Sequence, residues 1–293
     1  MIYAAKQKSV VLKDTTLQYI EFGKGTRPLV MIQGLNTNGI DGATDSLAFA
    51  YRIFAKDFKV YLFDRRPAVW EGITVRDLAA DVAAAMDALS LSDACVLGVS
   101  QGGMIAQYLA IERPDLVGKL VLALTLCENN DTVTDAIDTW VRLTKQGDFK
   151  TLVADMAERM YSPAYLRRYK PFLPLLTRVQ TPKDKERFIV LAKSCLTCNT
   201  AAELNKITCP TLVIGGAQDK VVGADSAKIL AQKIGCPLHL YENLGHAAYE
   251  EAKDCNPLSV RRLLDDTHYS ISYYLIFKYS LPMPSSKVSV LPS

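Results

Sequence analysis

Short, almost wholly apolar runs at residues 29–32, 60–63, 95–99, 120–124 and 212–214 each lead through a turn into a stretch with helical periodicity. That alternation is the pattern of βα units around a parallel sheet. Strands that read as continuous apolar runs, without polar residues at every second position, are covered by helices on both faces. The segment from Val10 to Phe22 differs. Val10, Leu12, Leu17 and Tyr19 flank the Lys13-Asp14 pair as in an antiparallel hairpin, so the expected sheet is mixed.

Between the runs, residues 75–89 place Leu78, Val82, Ala85, Met86 and Leu89 on one helix face. Thr74 and Asp77 have the spacing of a capping box. After 126 the βα rhythm stops until Cys209-Pro210, and the intervening stretch is helical in composition with prolines at 163, 171, 174 and 182. The expected organisation is a core of residues 1–126 and 209–256, a helical cap inserted at 127–208, and an atypical C-terminal segment at 257–293. Trp140, Met156, Met160, Phe172 and Phe188 lie in the insertion. At helical spacing such side chains are ordinarily core, although a lid over a pocket can also present them to a ligand.

Gly98-Val99-Ser100-Gln101-Gly102-Gly103 sits between the run 95–99 and a helical pattern from Met104 to about Glu112. A serine in a tight strand-to-helix turn is pushed into a pocket mouth, and glycines two residues to either side are needed because side chains there would collide. The Gln101 N–H then opens a helix, where unpaired amides favour a developing negative charge. A second amide of the same kind is expected from the loop after 29–32, where Gln33-Gly34 precedes Leu35. Leu35 and Gln101 are therefore the candidate oxyanion donors.

A serine hydroxyl needs a base, and the chain holds three histidines. His268 lies in the tail and His239 within an expected strand at 238–241, whereas His246 follows Asn243-Leu244-Gly245 in the loop beyond that strand. His246 is the candidate base. Asp219, just after 212–214, is the candidate orienting acid, with Glu128 as its rival. The chain order Ser, Asp, His favours Asp219.

Together these motifs resemble the α/β-hydrolase superfamily from about Val10 to Asn256. GVSQGGMIAQYLA followed by Arg113-Pro114, KLVLAL, PTLVIGGAQD and NLGHAAYEEA is similar to the branch that includes 3-oxoadipate enol-lactonases and related carboxylesterases. The resemblance implies an α/β-hydrolase fold with a mostly parallel sheet and a helical cap. It also implies Ser100, Asp219 and His246 as catalytic residues, backbone amides at Leu35 and Gln101, no metal and no organic cofactor. The implied reaction is cleavage of a small ester or lactone through a serine ester. Cofactor-free haloperoxidase chemistry, carbon-carbon bond hydrolysis, acyl transfer to an alcohol and non-catalytic ligand binding use the same fold and stay open. Two departures stand out: Gln33-Gly34 replaces the common His-Gly, and Asn256-Pro257 interrupts the expected last helix.

Partner classes are narrowed by charge. The 34 basic and 31 acidic residues give a net charge of +3 with no concentrated basic stripe, so no nucleic-acid partner is expected. The N-terminus lacks the apolar run of a secretory signal, and the late apolar stretch 271–283 falls short of the roughly 20 residues of a membrane span. A cytoplasmic enzyme with a small-molecule substrate is the expectation. Seven cysteines, an odd number, do not make a disulfide scaffold. Cys195 and Cys198 form a CxxC without the further ligands of a zinc site.

Overall fold

The computed structural model describes residues 2–169 and 173–252. The C-terminal segment from 257, the Asn256-Pro257 interruption, His268 and Phe172 lie outside them. Among the described residues eight strands form one sheet in the order β1-β2-β4-β3-β5-β6-β7-β8. β1 (Lys6–Val11) and β2 (Thr16–Phe22) are antiparallel, as is β2 with β4 (Phe58–Phe63). β3 (Arg27–Ile32), β5 (Ala94–Val99), β6 (Val117–Ala123), β7 (Thr211–Gly216) and β8 (Leu238–Tyr241) complete a parallel remainder. The sheet is thus mixed, with its antiparallel part confined to the end that holds β1.

Helices cover both faces, which is why the central strands carry no polar alternation. Along β5, Val96 faces one side with Leu78, Met86 and Leu109, while Cys95, Leu97 and Val99 face the other with Phe54, Phe58 and Leu62. The first side is covered by α2 (Val75–Ala88), α3 (Gln101–Glu112) and, further along, α9 (Ser226–Ile234). The second is covered by α1 (Thr44–Ala50) and α10 (Ala248–Glu251). Phe58 and Leu62 are fully buried, and each such side chain contributes about 1.5–3 kcal/mol relative to exposure. β8 differs: all four of its residues are only half-buried, as befits an edge strand.

Thr74 and Asp77 close the start of α2 reciprocally. The Asp77 N–H donates to Thr74 Oγ1 at 3.1 Å and the Thr74 N–H donates to Asp77 Oδ2 at 2.8 Å. Thr74→Ala leaves the Asp77 amide without its side-chain acceptor, so a loss of about 1 kcal/mol is expected. A lower urea midpoint with an unchanged slope is the check.

Among the described residues five α-helices stand between β6 and β7: α4 (Asp131–Gln146), α5 (Phe149–Met160), α6 (Pro163–Tyr169), α7 (Leu173–Gln180) and α8 (Lys185–Ser194). Asn130 caps α4 by accepting from the Val133 amide at 3.0 Å, and Gly147 ends it in the left-handed region at φ 71°. Trp140 and Phe188 are buried in the continuous core, with Met156 and Met160 packed at its edge. No helix of the described residues is long and apolar enough to cross a membrane.

Candidate active site

Three strands end at the same edge of the sheet, and each delivers one polar side chain there. Ser100 follows β5 directly and opens α3. Its backbone is at φ 53°, ψ −120°, a region that non-glycine residues avoid and that costs on the order of 1–3 kcal/mol. The neighbours that hold it there are specific. The Ser100 N–H donates to the Ala123 carbonyl at 2.9 Å, and its own carbonyl accepts from the Gly103 amide at 2.8 Å and the Thr125 hydroxyl at 2.8 Å. A Cβ at Gly98 would run into the Gly102 carbonyl and the Ala106 methyl, and one at Gly102 would run into the Ile32 carbonyl. Both glycines are therefore required for the turn to close.

His246 Nε2 lies 3.0 Å from Ser100 Oγ, and its Nδ1 lies 2.8 Å from Asp219 Oδ2. The other Asp219 oxygen, Oδ1, accepts from the amides of Val221 at 2.8 Å and Val222 at 2.9 Å. Asp219 and His246 are each only 5% exposed. Both oxygens of this buried carboxylate are thus engaged, as burial of such a polar group requires. With Oδ2 accepting from Nδ1–H, the imidazole is held with Nε2 bare, the form that can take a proton from the hydroxyl.

The histidine loop is fixed from two sides. The Gln218 N–H donates to the Leu244 carbonyl at 3.0 Å, and the Ala247 N–H donates to the Met160 carbonyl at the end of α5 at 2.9 Å. The loop 33–35 lies against the serine, since a Cβ at Gly34 would sit 3.3 Å from the Ser100 Cβ. Neither the Leu35 nor the Gln101 amide is engaged by an acceptor among the described residues. The structure thus brings Ser100, Asp219 and His246 together.

The rival candidates stand elsewhere. Glu128 is bridged through its backbone to Asn199, and its half-exposed carboxylate faces Lys233 Nζ at 4.0 Å. His239 stacks edge-on against Tyr241 on β8, and burial pushes its pKa down. Cys195 and Cys198 are buried free thiols. Desolvation pushes the Cys195 thiol up to about 12 and raises the Cys198 thiol as well, so both stay protonated thiols at neutral pH. Among the described residues no group of three or more metal-ligating side chains converges.

Three side chains around the site carry no motif. Gln101, read above only for its amide, donates from Nε2 to the Leu191 carbonyl at 2.7 Å and ties the turn to α8. Arg65, just past β4, donates from Nη2 to the carbonyls of Gln33 and Gly34. Arg187 of α8 donates in turn to the Arg65 and Arg66 carbonyls at 3.2 Å. The charged run Asp64-Arg65-Arg66 directly after an apolar strand was the available signal for Arg65.

Comparison with known proteins agrees with the architecture. The family model for the alpha/beta hydrolase fold matches residues 27–253. 3-Oxoadipate enol-lactonase 2 of Acinetobacter baylyi is 23% identical over 231 residues, covering 77% of this chain and 84% of that protein. AB hydrolase superfamily protein YisY of Bacillus subtilis is 30% identical over 260 residues, covering 83% of this chain and 92% of that one. The crystal structure of the enol-lactonase from Burkholderia xenovorans LB400 superposes with a TM-score of 0.77 at 21% identity, covering 88% of this chain and all of that chain. With a matching family model over most of its length, and the sheet order and strand-end site described above, the chain belongs to the α/β-hydrolase fold family.

Proposed function

We propose that this protein is a serine hydrolase that cleaves small carboxylic esters or lactones through an acyl-Ser100 intermediate. The observation that carries the proposal is the unbroken chain from Ser100 Oγ through His246 to Asp219, at 3.0 and 2.8 Å. In the first half-reaction Ser100 Oγ attacks the substrate carbonyl carbon while its proton passes to His246 Nε2. Asp219 stabilises the imidazolium that forms without taking the proton itself. Negative charge that collects on the former carbonyl oxygen is met by the amides of Leu35 and Gln101. The imidazolium then protonates the leaving alkoxide, and water repeats the sequence to free the acid. None of these steps requires a cofactor. Helices α4–α8, inserted as a cap at 127–208, would set the size and shape of the acyl group admitted.

Labelling by a fluorophosphonate probe tests the nucleophile. One equivalent of covalent label on Ser100 is expected in the wild type and none in Ser100→Ala. Label at another residue, or none in the wild type, excludes the assignment. Turnover of chromogenic esters and small lactones beside a β-diketone panel then separates bond types, and hydrolysis of the diketones alone would move the reaction to carbon-carbon cleavage.

A further inference from the structure

Arg65 is a buried cation whose guanidinium makes no hydrogen bond to a carboxylate among the described residues. It is 6% exposed, and its Nε and Nη1 find no partner there. Burying a charge on such terms is costly. Burial lowers its pKa to about 10, with Asp64 pulling it upward and Arg187 pushing it further down, so the group remains charged at neutral pH. Its one engaged nitrogen, Nη2, donates to two successive carbonyls, those of Gln33 and Gly34, the latter at 3.2 Å.

Those carbonyls belong to the loop that lies against Ser100. The Gly34 carbonyl and the Leu35 N–H are the two ends of one peptide unit, and every peptide of the described residues is trans. In a planar trans unit C=O and N–H point in opposite directions. A donor that grips the Gly34 oxygen therefore turns the Leu35 N–H away from Arg65. A hydrogen bond from a cation to that oxygen also polarises the unit and makes its N–H a stronger donor.

We infer that Arg65 is a positioning residue for the oxyanion site: its guanidinium orients and polarises the Gly34-Leu35 peptide toward the oxygen that becomes negative during attack by Ser100. The inference rests on Ser100 being the nucleophile. Arg65 touches neither substrate nor hydroxyl and acts through the backbone it holds. Arg187, which donates to the Arg65 and Arg66 carbonyls, anchors the same segment to the cap.

Arg65→Met removes the donor and the charge at nearly constant volume, and Arg65→Lys keeps the charge with a single ammonium. Two rates are read in the full-length protein. One is the second-order rate of fluorophosphonate labelling, in which the Ser100 Oγ–P bond forms, fluoride leaves with the P–F bond pair and the hydroxyl proton passes to His246. The other is kcat, with KM, on the best ester of the panel, scaled to the labelled fraction. In Arg65→Met both rates are expected to fall roughly 10- to 100-fold, less than loss of a direct oxyanion donor. KM should stay within about threefold, because the interaction strengthens only as charge develops. Arg65→Lys should recover most of the loss. Wild-type rates per labelled serine in Arg65→Met overturn the inference, as does a lysine variant no faster than the methionine one. Should Arg65→Met fail to fold, Arg65→Gln takes its place, because it removes the charge while still able to hydrogen-bond: a drop in kcat matched by labelling supports the role, and wild-type values in both reject it. Ser100→Ala run alongside separates the two levels, since turnover surviving there sinks the nucleophile and this inference together. If Ser100→Ala is inert while Arg65→Met is unimpaired, only the role of Arg65 is lost.

Discussion

His246→Gln is expected to lower kcat on the order of 10^4- to 10^6-fold toward any ester or lactone the wild type turns over. The reason lies at both ring nitrogens. Nε2, 3.0 Å from Ser100 Oγ, is the base within reach of the hydroxyl, and a glutamine amide cannot take up a proton near neutral pH. The loss corresponds to about 5–8 kcal/mol of barrier. Folding should be far less affected. Glutamine keeps a donor able to face Asp219 Oδ2, and Oδ1 keeps the Val221 and Val222 amides. A melting temperature close to that of the wild type, measured beside the kinetics, makes the rate loss chemical. The double variant Ser100→Ala, His246→Gln should be no slower than either single one, because the pair acts as a unit. Losses that multiply would show that the two residues work independently and would overturn the relay.

Much of this site was legible because its demands fall on residue type at short spacing. The turn at Ser100 requires glycine at 98 and 102, where a Cβ would strike Gly102, Ala106 and Ile32. The strands announced themselves because both faces of the sheet are covered, which leaves their central runs almost wholly apolar and without polar alternation. Where side chains carry no pattern the sequence says less. The apolar periodicity of α3 starts only at Met104, because Gly102 and Gly103 contribute no side chain to a helical face, and its start at Gln101 was legible from the turn instead. Arg65 was missed for a deeper reason. Its partners are the carbonyls of Gln33 and Gly34, more than thirty residues earlier, and every residue type presents the same carbonyl. The side-chain bond of Gln101 is equally silent, since its Nε2 meets the Leu191 carbonyl ninety positions away, across the junction with α8.

Asp219→Asn is the sharper test of the chemistry, because it changes one atom and leaves the shape alone. In the wild type Asp219 Oδ1 accepts two backbone amides, from Val221 and Val222, while Oδ2 accepts from His246 Nδ1. Asparagine has one acceptor and one donor end. The two amides at 2.8 and 2.9 Å can be met only by its oxygen, so its NH2 must turn toward Nδ1. Two donors cannot share that contact, and the imidazole responds by giving up its Nδ1 proton and carrying it on Nε2. The nitrogen facing Ser100 then holds a proton already and cannot receive another. A fall in kcat of about 10^4-fold is expected from the wrong tautomer alone. Both backbone hydrogen bonds survive, so the urea midpoint should move by no more than a change of about 1–3 kcal/mol allows. Nitrogen-15 NMR of the imidazole reads the cause directly, with the ring proton expected on Nδ1 in the wild type and on Nε2 in the variant. A variant within tenfold of wild-type kcat, or one with the proton still on Nδ1, would remove Asp219 from its orienting role. Such an outcome would leave the bond at 2.8 Å as a structural contact only.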